Sequence, residues 1–176
     1  ASCLVGSEMC IRDRKYPPAQ AKIAYEMLRA AGVPCLISQY RYSMFDRTVE
    51  EKSLPLAAEQ GSGFIAFSPL AQGLLTKKYL HGIPEHSRAA RSTGFLKVDQ
   101  VTEDKVGKAR RLDEIAARRG QTLAEMALAW VLKDERMTSV IVGTSSVKQL
   151  ADNLHALDNL NFTNEELAEI EGILRL

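Results

Sequence analysis

Residues 63–79 read GFIAFSPLAQGLLTKKY. A continuous apolar run, GFIAF, stops at Ser68-Pro69, and a proline cannot donate to the ladder of a central strand. The run therefore reads as a short buried strand that ends in a turn. That reading accounts for the first half of the stretch. It does not account for Gly73 or for the paired Lys77 and Lys78 that follow.

Working outward, two more runs share the character of GFIAF: VPCLISQ at 33–39 and SVIVG at 139–143. Amphipathic helical patterns separate them. YPP at 16–18 opens the first, with Ala21, Ala24, Tyr25, Leu28 and Ala31 at helical spacing and Gly32 as its stop. Thr48 and Glu51 form a capping box for a helix over 49–61, which Pro55 should shorten or kink. Thr102 caps a helix from Glu103, and Thr122 with Glu125 opens LAEMALAWVLKDE. Ser146 with Gln149 and Thr163 with Glu166 make two further capping boxes. Residues 69–100 carry no clear period, and loops that long are usually functional or disordered.

Short strands covered on both faces and alternating with helices predict a parallel sheet in an α/β fold. A closed (β/α)₈ barrel usually takes about 250 residues. Three strand–helix units in 176 residues are too few for one, and the chain reads as a fragment.

Composition narrows the function. Apolar residues make up 45% and charged ones 26%, the balance of a soluble globular protein. A net charge of +1 argues against a nucleic-acid surface, although Lys77-Lys78 and residues 109–111 are local basic clusters. No apolar run reaches the ~18–20 residues of a membrane span. Three cysteines form neither a disulfide framework nor a CxxC pair, which fits a cytoplasmic location, and Cys35 reads as a small buried residue. The first fourteen residues, ASCLVGSEMCIRDR, show neither a signal-peptide pattern nor a sustained period. We expect residues 1–14 to be a non-native tract.

Two segments carry chemistry. In α/β folds, ligands meet the carboxyl ends of the strands, and FSPLAQG begins at such an end. Ser68 offers a hydroxyl, Gly73 allows close backbone approach, and Lys78 and Arg88 can neutralise phosphate charge. A polar rim loop would show the same residues. After the third strand, Gly143 and the cluster Thr144, Ser145, Ser146 fall where helix N–H groups are unpaired, a ready anion site. Gln149, Asp152 and Asn153 fall at i, i+3 and i+4 on one helical face, able to read the polar edge of a base. Ordinary capping also fits this spacing.

Four stretches, QYRYSMFDR (39–47), FSPLAQGLLTKKYLHGIPEHSR (67–88), GQTLAEMALAWVL (120–132) and SVIVGTSSVKQLADN (139–153), closely resemble the aldo-keto reductases. The likeness is strongest to the bacterial glyceraldehyde 3-phosphate reductase-like branch and to the β-subunits of voltage-gated potassium channels. It implies that residues 15–176 are a partial aldo-keto reductase domain, the C-terminal half of a (β/α)₈ TIM barrel that binds NADPH and reduces aldehydes or ketones. By position, Gln39 matches the carboxamide contact and Phe67 the aromatic residue that stacks on the nicotinamide. Ser68, Pro69, Leu70, Ala71 and Gln72 match the pyrophosphate loop. Lys78 and Arg88 match basic residues that close over the cofactor. Gly143, Ser145 and Gln149 match the 2′-phosphate site, and Asp152 and Asn153 the adenine contacts. Lys77 departs from a common glycine.

The resemblance also implies what is missing. The Asp, Tyr, Lys and His that serve carbonyl reduction in the family precede this segment, so the chain alone is expected to be inactive. Tyr40 and Tyr42 sit beside Gln39 and are not that acid. Solvated or packing roles are expected for His81, His86 and His155, and a core role for Trp130. The resemblance also admits a second function, an NADP(H)-binding, redox-sensing regulatory subunit of the channel type. The sequence leaves the carbonyl substrate and the oligomeric state open.

Overall fold

The computed structural model describes residues 16–85, 87, 89–90 and 96–175. The tract 1–14 thus lies outside the described residues. Helix α1 (Pro18–Ala30) carries prolines at its start, where the missing N–H costs nothing, and buries Ala21 and Tyr25. Gly32 ends it at φ +72°, a conformation glycine adopts without strain.

Strands β1 (Ile37–Arg41), β2 (Gly63–Phe67) and β3 (Met137–Ile141) form one parallel sheet in the order β1-β2-β3. Two expected strands are displaced along the chain, to 37–41 from 33–39 and to 137–141 from 139–143. The cause is pairing. Ile37 to Arg41 face Gly63 to Phe67 residue for residue, so β1 can begin only where β2 begins. Phe64 pairs with Met137 and Phe67 with Ile141, which fixes β3 in the same way. The register slips between Phe64 and Ile65. There the Thr138 hydroxyl accepts the Phe64 N–H at 3.1 Å, replacing a ladder bond.

The expectation of burial on both faces does not hold. Ser38, Tyr40, Phe64 and Ala66 are buried on one side. Gln39, Arg41, Ile65 and Phe67, on the other, are half-buried, and Ile141 is exposed. The strand residues that join the main core, Tyr40, Phe64, Ala66 and Met137, are all on the first side, and among the described residues none from the second joins it.

Helix α2 (Ser53–Glu59) begins later than expected, and the Thr48–Glu51 capping box does not form. Pro55 is the third helical residue, and its ring would clash with the Glu51 carbonyl if the helix extended back that far. The Thr48 hydroxyl donates instead to Asp46 Oδ1 at 3.0 Å. Helices α3 (Glu103–Arg118), α4 (Leu123–Leu132), α5 (Val147–Leu154) and α6 (Asn164–Arg175) follow. Thr102 accepts the Lys105 N–H at 3.3 Å. The boxes Thr122–Glu125 and Thr163–Glu166 close in both directions. Leu112, Ile115, Met126, Trp130, Ile170 and Ile173 pack with Phe64 and Leu54 into the core, each large side chain contributing roughly 1.5–3 kcal/mol by leaving water. Cys35 is buried beside α1, as expected. Short 3₁₀ turns at Ala71–Gly73, Lys77–Tyr79 and Val98–Gln100 organise the long segment after β2.

Candidate functional site

A cavity of about 680 Å³ opens at the carboxyl ends of β2 and β3. Two segments line it. Phe67, Ser68, Pro69, Leu70, Gln72, Gly73, Thr76, Lys78 and Tyr79 come from the chain leaving β2, and Ile141, Val142, Gly143, Ser145 and Gln149 from the chain leaving β3. Of the residues singled out in the sequence, the fold brings Phe67, Ser68, Pro69, Leu70, Gln72, Lys78, Gly143, Ser145 and Gln149 to one place.

The first rim is a tightly wound loop. Ser68, Ala71 and Gln72 hold φ of 55°, 47° and 59°, a left-handed region that non-glycine residues enter rarely. Backbone bonds keep them there: the Ala71 N–H donates to the Ser68 carbonyl at 2.9 Å and the Gly73 N–H to Leu70 at 2.8 Å. Gly73, at φ +102°, fits against the Tyr79 ring. The Thr76 hydroxyl donates to the Gly73 carbonyl at 2.7 Å and accepts the Lys78 N–H at 3.2 Å. Ala71 is buried behind the loop and does not line the cavity. Lys78 is exposed, with no carboxylate partner among the described residues. Arg88 lies outside the described residues.

The second rim is the start of α5. Ser146 accepts the Gln149 N–H at 3.2 Å, as a cap should. The return bond of the expected box is absent, because Gln149 Oε1 accepts instead from the Ser145 N–H at 2.9 Å and hydroxyl at 3.1 Å. Gln149, Asp152 and Asn153 do not act on one cavity. Asp152 accepts from Lys148 at 2.8 and 3.0 Å. Asn153 is buried and lines a separate, mostly apolar cavity of about 250 Å³ with Leu128, Val140, Val142, Leu150 and Leu154. Its Nδ2 has no hydrogen-bond partner among the described residues.

Gln39 also lies outside the main cavity. It sits on the half-exposed face of β1, the same sheet face as Phe67 and one layer lower, because it pairs with Ile65 while Arg41 pairs with Phe67. Sequence reasoning gave no ligand-facing role to Thr76, Tyr79, Ile141 and Val142. The Thr-x-Lys spacing is a signal for the first, since a threonine hydroxyl can hold a turn two residues on.

The electrostatics are one-sided. Lys78 is the one cation among the described lining residues, with hydroxyls and amides beside it and no carboxylate. The tyrosines near Gln39 belong to the core. Tyr40 stacks on Phe64, and burial pushes its phenol up to about 12. Burial and the Glu50 carboxylate, to which it donates at 2.7 Å, push Tyr42 higher still. Trp130 is buried against Tyr42, with Arg47 and Lys133 over its ring. His81 is exposed, His155 bonds Asp158, and His86 lies outside the described residues. Among the described residues no cluster can hold a metal ion, and no helix is long and apolar enough to cross a membrane.

The model of the aldo/keto reductase family matches residues 16–175. The chain is 44% identical over 170 residues to an L-glyceraldehyde 3-phosphate reductase of Escherichia coli O157:H7 and 42% identical to the protein of the same name in strain K12. Each match takes in 94% of this chain and 49% of the relative. The chain thus spans about half the length of the curated relatives it matches.

Proposed function

Because the chain belongs to the aldo/keto reductase family, we propose that it forms the dinucleotide-holding part of an NADPH-dependent reductase of aldehydes or ketones. Membership and the reductase relatives support its being part of an oxidoreductase. The observation that carries the finer reading is that Lys78, on one rim, and Ser145 and Gln149, on the other, line a single cavity. The lining fits an anionic dinucleotide: an ammonium, the Ser68 hydroxyl and amides, with no carboxylate among the described lining residues to oppose it, while the Thr76 and Ser145 hydroxyls already donate to the Gly73 carbonyl and to Gln149.

In this reading Lys78 and Arg88 meet pyrophosphate charge, and residues 68–72 wrap it. Gly143, Ser145 and Gln149 take the 2′-phosphate that distinguishes NADPH from NADH. Phe67 holds the nicotinamide ring flat and Gln39 its carboxamide, from the same sheet face. The resemblance gives the adenine contacts to Asp152 and Asn153; neither lines the main cavity, so adenine would have to lie beyond its described lining. The chemistry supplied when the dinucleotide is bound is hydride donation to a carbonyl carbon. A small phosphorylated aldehyde, as in the relatives' names, is the substrate we infer.

In this reading the proton comes from elsewhere in the protein. Tyr40 and Tyr42 are buried in the core and line no part of the described cavity. We therefore read residues 15–176 as the C-terminal half of a (β/α)₈ barrel. The half-exposed sheet face supports this, as do the exposed Val147, Leu150, Leu154 and Leu157 along and just beyond α5.

Calorimetric titration of the full-length protein tests the reading. Saturable binding of NADPH, tighter than NADH and weakened by Phe67→Ala, is expected. Equal affinity for the two dinucleotides would remove the 2′-phosphate assignment. The 176-residue chain alone should turn over no carbonyl substrate.

A further inference from the structure

We propose that Arg110 of α3 is a positioning residue for the cavity: it anchors the turn Lys77–Tyr79 and so holds the Lys78 ammonium at the rim against an anionic ligand. The inference takes its ligand from the dinucleotide reading, while the anchor itself is a matter of geometry.

Arg110 donates through Nε and Nη2 to one acceptor, the carbonyl oxygen of Leu80, at 2.9 and 2.6 Å. A guanidinium fork on a carbonyl is charge-assisted and fixes direction as well as distance. Leu80 is buried and immediately follows the turn. Three residues further along α3, on the same helical face, Asp113 meets Lys77 at 3.7 Å. From the cavity side, Thr76 accepts the Lys78 N–H, and the buried Tyr79 ring lies against Gly73. The backbone of Lys78 is thus held on both sides while its ammonium stays exposed.

This matters because binding is weakened by whatever must be ordered when the ligand arrives. With the turn fixed beforehand, only the Lys78 side chain remains to be ordered. The anchor also closes the far end of a loop whose left-handed Ser68, Ala71 and Gln72 persist only where their surroundings over-determine them. Helix α3 contributes no residue to the described cavity lining, so Arg110 acts through the turn.

Amide hydrogen exchange on the ligand-free full-length protein reads the anchor directly. Arg110→Ala should speed exchange at residues 78–80 by about tenfold and leave β1 and β2 unchanged. Arg110→Lys keeps the charge but loses the fork. It should fall between wild type and Arg110→Ala, and it serves if the alanine variant does not fold. With NADPH as the probe, stopped-flow release should be roughly tenfold faster in Arg110→Ala. That acceleration should vanish in a Lys78→Ala background, the non-additivity expected of one residue acting through another. Unchanged exchange at 78–80, or additive effects of the two substitutions, would overturn the proposal. A wild-type protein that binds no NADPH would instead remove the dinucleotide reading, and the exchange experiment would still decide the anchor.

Discussion

Gln149 accepts two hydrogen bonds from Ser145 through a single oxygen, from the N–H at 2.9 Å and from the hydroxyl at 3.1 Å. The amide is thereby turned away from the capping role its spacing suggests and faces the cavity at the mouth of α5. In our reading this pair meets the 2′-phosphate. Gln149→Ala should weaken NADPH binding by roughly 1.5–3 kcal/mol, the range for a hydrogen bond to a charged group, and leave NADH binding nearly unchanged. Parallel titrations with the two dinucleotides check it.

Gly73 sits at φ +102°, and a Cβ there would lie 3.3 Å from Tyr79 Cε2. Gly73→Ala should therefore destabilise the protein by about 1–3 kcal/mol, the usual cost of a side chain in a sparsely populated backbone region. Urea unfolding measures it, as a lower midpoint at constant slope. A midpoint equal to that of wild type would mean that the loop relaxes freely.

The bulge between β2 and β3 offers a second stability test. A Cβ on Gly63 would stand 3.0 Å from Thr138 Oγ1 and 3.3 Å from the Leu36 carbonyl. Thr138→Val removes the acceptor of the Phe64 N–H and should cost about 1–3 kcal/mol for the unsatisfied donor. Gly63→Ala should also destabilise, and no less in the Thr138→Val background, because the valine methyl takes the place of the hydroxyl against the new Cβ. A double-mutant cycle in urea resolves the coupling.

Alkaline pH should unfold the protein over a definite window. The Tyr40 phenol is raised by burial to about 12, against about 10 for a free tyrosine. A group whose folded pKa is raised contributes stability that is complete below the unfolded value and is lost as pH rises through the folded one. Melting temperature should hold steady up to about pH 10 and fall between there and about pH 12. Tyr40→Phe should flatten part of that fall.

At the acid end, Glu171 is held below the ordinary glutamate range, first by its hydrogen bond from Arg47. A depressed folded pKa gives stability that is present above the unfolded value, about 4.3, and lost as pH falls through the folded one. The pair is partly exposed, so its contribution is small and screened by salt. Glu171→Gln should leave stability near neutral pH almost unchanged and make the decline below about pH 4 shallower.

Much of the fold was legible because it rests on local signals. Thr102, Thr122 and Thr163 begin helices where their spacing says they should, since a cap and its N–H are three residues apart in any context. Strand limits were less legible. Nothing within VPCLISQ says that pairing begins at Ile37, because that depends on where Gly63 lies in the neighbouring strand. The half-exposed face of the sheet was missed for a related reason: a short apolar run carries no mark of which side is covered. At the site, Lys78 and Gln149 were named from position, and their common cavity follows from two adjacent parallel strands ending on one edge. Asn153 could not be placed in that way. One helical step past Asp152 turns it under α5 and into the second cavity.

In the proposed function the two rims grip one phosphorylated dinucleotide together. The most direct measurement is NADPH binding by titration calorimetry in the full-length protein, in Lys78→Ala, in Gln149→Ala and in the double variant. Saturable binding in the wild type, a loss of affinity in each single variant and a further loss in the double are expected. Absence of NADPH binding by the wild type, or affinity untouched by both substitutions, would contradict the proposed function.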